Sequence, residues 1–214
     1  MKKHLLILSC TALLAACSTA YYGAMEKFGV YKRDILVNRV EDARKSQNDA
    51  KEQFDSALAQ FRSIVRFDSG NLEKEYNRLQ KEYDRSAAAA QEVSERIRAI
   101  EKVAQDLFKE WEKELAQYSN ANLRADSQTQ LNTTKQEYAQ LLRSLKTVEQ
   151  RMPPVLQVFH DQVLYLKHNL NARAITALHQ EYRNIENNVV RLIAEMNQSI
   201  SEADRFISKM RQQP

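Results

Sequence analysis

Glycine and proline are nearly absent from this chain. There are three of each in 214 residues: Gly23, Gly29 and Gly70, with Pro153, Pro154 and Pro214. Average chains carry several per cent of each, so tight turns are few here and the segments between them are long. No stretch alternates apolar and polar residues between turn signals, which leaves β-strands without support. Cysteine is scarcer still. Cys10 and Cys17 are the only two, and the body that follows them folds without disulfides and offers no thiol nucleophile. Long apolar runs are missing as well: the most apolar, Leu5 to Ala16, has about a dozen residues against the roughly 20 a helix needs to cross a bilayer.

The same poverty extends to reactive constellations. Gly70 stands alone with Asn71 and Leu72 after it, so no glycine-rich loop leads into Lys-Ser or Lys-Thr and no nucleotide is expected. There is no Gly-x-Ser-x-Gly elbow. His160, His168 and His179 are separated by eight and eleven residues, and a metal pair on one helix needs a separation of four. Glu181 and Glu186 complete no Glu-x-x-His pair of the di-metal bundle type, so no metal is expected. Basic and acidic residues nearly balance, 32 against 28, and both signs are spread along the chain. A nucleic-acid binder concentrates positive charge, and this pattern reads as solvated helix faces. The expectation is a protein that is not an enzyme.

The N-terminus is the exception to this blandness. Lys2 and Lys3 lead into the apolar run, which ends at Leu14-Ala15-Ala16-Cys17. A positive start, a short apolar segment and small residues before a cut are the parts of a secretory signal in order. The segment resembles a bacterial lipoprotein signal peptide with its lipobox. That resemblance implies a leader over 1–16 and a diacylglycerol with an N-acyl chain on Cys17. With Ser18 rather than Asp next, it also implies sorting to the outer membrane of a Gram-negative cell, facing the periplasm. Each buried methylene contributes about 0.8 kcal/mol, so two or three acyl chains hold such a protein on its membrane practically without exchange. Residues 17–22 then form a tether and 23–214 one domain, long enough to bury a core. Loss of Lys2 and Lys3 leaves 30 basic residues against 28 acidic ones.

Apolar spacing in that domain predicts an all-α, elongated antiparallel bundle of the coiled-coil kind. In a first helix from about Gly23 to Arg66, Leu36, Val40, Ala43, Gln47, Ala50, Phe54, Ala57, Phe61 and Ile64 recur in steps of four and three. Gly70 and Asn71 predict a stop and an N-cap, with Glu73 and Glu75 placed well against the next helix dipole. The second seam runs from Leu72 through Leu107 and Trp111 to Tyr118. Ser119-Asn120-Ala121-Asn122 predicts a turn, and Ser127 with Gln130 a capping box for a third helix, whose seam runs Leu131, Thr134, Tyr138, Leu141, Leu145, Val148 and Met152. Pro153-Pro154 predicts a break there, giving four helices, the last from about Pro154 to Lys209. The alternative is three helices, the last kinked at those prolines, because Val155 and Phe159 continue the third seam in phase. A phase slip falls near Asn169 to Ala174.

Two segments invite more than packing. Tyr21, Tyr22 and Phe28 are interleaved with Lys27, Lys32 and Arg33 close behind Cys17. They either meet headgroups and phosphates at a membrane surface or close one end of the bundle. The polar slip at His168, Asn169 and Asn171 is either a partner-binding patch or a local stutter in the packing. The lipobox, the Tyr21-Tyr22-x-Ala24-Met25-Glu26-Lys27-Phe28-Gly29 opening, Lys32-Arg33-Asp34 and Lys167-His168-Asn169-Leu170-Asn171-Ala172 resemble an uncharacterised family of proteobacterial helical outer-membrane lipoproteins. That resemblance implies a location and a fold, with no activity and no site residues attached. The expected role is a structural or protein-interaction module of the cell envelope. It would meet the membrane through its lipid and a protein partner or a second copy through its surface. The alternative role is a bundle that takes a lipid or another apolar ligand between its helices, which calls for an apolar cavity.

Overall fold

The computed structural model describes residues 31–66 and 71–212. The leader, the tether and the start of the domain, with Cys17, Tyr21, Tyr22, Lys27 and Phe28, lie outside the described residues. Four helices make up the described chain: α1 (Lys32–Val65), α2 (Leu72–Leu115), α3 (Ala121–His168) and α4 (Ala172–Gln212). At 1.5 Å per residue they are about 50 to 70 Å long. Each packs against the next in sequence, and α4 closes the ring beside α1.

Polar pairs across the seams report the antiparallel register. Ser46, Gln53 and Gln60 of α1 meet Glu92, Glu82 and Glu75 of α2 at 3.1, 2.7 and 2.9 Å. Arg44 and Arg62 of α1 meet Asp204 and Glu186 of α4 at 2.7 and 2.8 Å. Glu101 of α2 pairs with Lys146 of α3 at 2.8 Å. Arg151 of α3 grips Glu195 of α4 through two bonds of 3.0 and 2.9 Å. The solvent-exposed ion pairs among them contribute about 0–1 kcal/mol each, so they mark the alignment more than they hold it.

The core is what holds it. All eight apolar residues of the predicted α1 seam are buried, together with Gln47. Ile35, Val37, Leu58 and Val65 join them because α1 is flanked by both α2 and α4 and buries a wider stripe than a single seam. Ala43, Ala50 and Ala57, seven residues apart, alternate with larger side chains and let its neighbours approach closely. Gln47 is fully buried and neither of its amide atoms finds a protein partner. A single polar residue at a seam position is the type that discriminates between helix registers, at a cost in stability.

The helix boundaries follow local chemistry. Asn71 caps α2 as predicted, its Oδ1 accepting the Lys74 backbone N–H at 3.0 Å. The start of α3 departs from the prediction. Asn120 caps it, accepting the backbone N–H groups of Asn122 and Leu123 at 2.9 and 3.2 Å, so the helix begins before Ser127 and needs no box there. Ser127 instead accepts a hydrogen bond from Trp111 Nε1 at 2.8 Å, tying α2 to α3. Tyr118, placed on the α2 seam by its spacing, lies past the end of that helix and is 41% exposed.

The predicted break at Pro153-Pro154 is not there. Both prolines lie inside α3, which runs on to His168, and the fourth helix begins at Ala172. Nor is the outcome the three-helix alternative, because the chain turns at 169–171. Both proline side chains are exposed, so the carbonyls they leave without donors are on the solvent side. Met152, Val155, Phe159, Val163 and Leu166 meanwhile continue one buried seam. Burying four further large side chains at about 1.5–3 kcal/mol each matches or exceeds the roughly 3 kcal/mol cost of each of the two interior prolines.

Candidate functional site

The predicted polar slip is the turn between α3 and α4, at one tip of the rod. Asn169 ends α3: its backbone N–H donates to the Leu166 carbonyl at 3.1 Å and its Nδ2 to the Tyr165 carbonyl at 2.9 Å. The Asn171 backbone N–H donates back to the Asn169 carbonyl at 3.0 Å, which puts Leu170 at the vertex of a three-residue turn. Asn171 Oδ1 then accepts the Ala174 backbone N–H at 3.2 Å, capping α4. Both asparagines are thus spent on backbone groups that helix ends leave unsatisfied. His168 is exposed beside them.

Beside the exposed Lys167, His168 and Asn171, the tip presents apolar side chains. Leu164, Tyr165 and Leu170 are 48, 39 and 43% exposed, while Val163, Leu166 and Leu178 behind them are buried. Leu164 and Tyr165 are the residues that the sequence reading misses. Their signal is being apolar and out of phase with the seam, which is easily taken for an ordinary exposed leucine or tyrosine.

The tip stands on a braced platform. Phe61 of α1 meets Phe159 of α3 edge-on at 6.3 Å and stacks on Tyr182 of α4 at 6.2 Å, with only 10° between the latter two rings. Arg62 Nε donates to the Tyr182 hydroxyl at 2.6 Å, which donates to Glu186 at 2.6 Å, and a second Arg62 nitrogen reaches Glu186 at 2.8 Å. The Tyr182 hydroxyl, followed by Arg62, holds the Glu186 carboxyl below the ordinary carboxylate range. The contribution of this clasp is present above the ordinary carboxylate pKa near 4.5 and is lost as pH falls through the lowered value. Acid melting should therefore show wild type losing its advantage over Glu186→Gln below about pH 4.5, with the gap constant from there to neutrality.

The remaining expected residues are dispersed. Lys32 and Arg33 lie in the first turn of α1 at the other end of the rod, where Lys32 reaches Glu110 of α2 at 2.5 Å. His160 packs against the Tyr83 ring with centroids 5.4 Å apart, and His179 is exposed on α4. Among the described residues no three His, Cys, Asp or Glu side chains gather as a metal site, and no helix is long and apolar enough to cross a membrane. An open groove of about 250 Å³ between α3 and α4 is lined by the polar residues Gln140, Arg143, Ser144, Thr147, Gln198 and two glutamates.

Comparison with known proteins returns one family. The model described as "Protein of unknown function (DUF2959)" matches residues 21–210, which takes in α1 to α3 and α4 up to residue 210. No curated protein and no solved structure matches the chain.

Proposed function

This chain belongs to the DUF2959 family of proteins of unknown function, and from that premise we propose that it is a non-enzymatic lipoprotein of the outer membrane. Anchored through Cys17 and facing the periplasm, it acts as a spacer that carries a protein-binding tip. One observation carries the reading: Leu164, Tyr165 and Leu170 are exposed together at the α3–α4 turn, on the end of the rod opposite the start of α1. A small apolar cluster rimmed by polar residues such as His168 and Asn171 is the kind of anchor that fills a pocket on another protein. The bundle supplies stiffness and reach, and its filled seams supply the reason for its length. The ligand-binding alternative asks for an apolar space between helices, and the α3–α4 groove, lined by polar and charged residues and open to solvent, does not supply one.

Photocrosslinking in intact cells tests this directly. A photoreactive residue at position 170 is expected to join one recurring protein, and a Leu164→Asp change elsewhere in the tip to remove that adduct. The same probe at position 190, exposed on the flank of α4, is expected to give none. Capture of lipid alone or of a second copy from position 170 would replace this reading with a membrane-bound or self-assembling one.

A further inference from the structure

The opposite end of the rod is built differently. There α2 and α3 outrun their neighbours: Lys32, the first helical residue of α1, lies against Glu110, yet α2 continues to Leu115 before the chain turns back into α3. Five residues at 1.5 Å put the helical part of this hairpin about 8 Å beyond the start of α1. Helix α4 ends short of this hairpin, since Arg211 in its last turn reaches Glu41, more than two turns into α1.

The hairpin is held firmly enough to present what it carries. Trp111 is hydrogen-bonded to Ser127, Leu115 and Leu131 are buried, and Lys135 pairs with Glu112 while sitting over the Phe108 ring. At its vertex, among Gln117, Ser119, Asn120 and Asn122, stand Tyr118 and Leu123, 41 and 54% exposed. A lone exposed leucine needs no explanation. Two apolar side chains on the same projecting vertex are a different matter when that vertex also lies at the end where the chain enters α1. Tyr31, just before α1, is exposed at this end too.

The length of chain before α1 says what lies nearby. Cys17 precedes Tyr31 by fourteen residues, which span at most about 50 Å when fully extended. Granted the lipid attachment proposed above, on which this inference rests, Tyr31 at the hairpin's end of the rod is held within that distance of the bilayer. Tyrosine favours the bilayer interface, where its ring is apolar and its hydroxyl remains wet. Lys113 and Arg124 flank the vertex beside the exposed acids Glu112, Glu114 and Asp126, so the attraction rests on the apolar side chains and not on net charge.

We propose that the α2–α3 hairpin tip is a second membrane contact, in which Tyr118 and Leu123 enter the interfacial layer of the leaflet that holds the anchor. A tether alone leaves a rod free to lie flat, whereas a tether and a seated tip hold it upright. The α3–α4 turn is then carried about 70 Å from the membrane, the length of α3.

The absence of thiols after Cys17 makes the test clean. The full lipidated chain with Leu123→Cys, labelled there with an environment-sensitive fluorophore, is reconstituted into phosphatidylethanolamine and phosphatidylglycerol vesicles. The expected result is a blue-shifted emission quenched by lipids spin-labelled near the headgroup. Tyr118→Asp in the same chain should abolish the quenching without changing flotation, and a label at position 170 should stay water-like. A water-like label at position 123 on protein that floats with the vesicles overturns the second contact and leaves the anchor standing. Equal quenching at positions 123 and 170 means a rod lying flat and also overturns it. A chain that does not float overturns the anchor itself, and this inference with it.

Discussion

Replacing Phe159 by alanine should destabilise the protein by about 3–5 kcal/mol, as large buried aromatic truncations do. Phe159 is fully buried, lies beyond Pro153 and Pro154 on α3 and meets Phe61 edge-on, a contact that adds roughly 0.5–1.5 kcal/mol to simple burial. Because Phe61 also stacks on Tyr182, the loss is shared by α1, α3 and α4. Urea denaturation is the measurement, with Leu164→Ala as the control. Leu164 is half exposed a few residues further on, and its truncation should cost no more than about 0.5 kcal/mol. Equal, small effects at both positions would mean that the chain after the prolines does not pack on α1.

The second large effect has the opposite sign. Pro153→Ala with Pro154→Ala should stabilise the protein by about 2–4 kcal/mol. Two interior prolines cost a helix roughly 3 kcal/mol each. Part of that is offset because solvent reaches the freed carbonyls, and part because proline stiffens the unfolded chain by about 0.4–1 kcal/mol per residue. A turn would respond in reverse, since alanine would loosen it and lengthen the helices on either side. The sign of the change in melting temperature therefore separates the two arrangements.

The prolines also show where sequence reasoning reaches its limit. The α1 seam and the Asn71 cap are legible because local and long-range preferences agree there: the heptad positions are buried and the cap bond forms. At Pro153-Pro154 they disagree. The local rule says break, the phase of Val155 and Phe159 says continue, and burial wins because it sums over four side chains. At 168–171 the polar run and the phase slip are both visible. Their meaning as a chain reversal emerges only once the helix is known to pass the prolines. Two asparagines flanking one residue is in retrospect the stronger turn signal, because each can satisfy a helix end.

The two ends of the rod are less legible in the sequence. Leu164 and Tyr165 are a surface matter, and their gathering with Leu170 depends on where the chain turns. Tyr118 falls on the α2 heptad and is displaced from it because Asn120 starts α3 early. That same early start puts Leu123 on the projecting hairpin rather than in a loop. Both tips thus follow from helix boundaries, the least determined feature of a sequence whose turns have so little glycine to mark them.

The most direct measurement is the distance between spin labels at positions 123 and 164, both exposed sites on α3 in a body without thiols of its own. A continuous α3 separates them by 41 residues, about 60 Å along the helix, and keeps the two tips at opposite ends of the rod. A distance near 60 Å is the result this account predicts. A chain that reversed at Pro153-Pro154 would bring the labels to about 30 Å, and that result would contradict both the fold and the separation of membrane end from partner end.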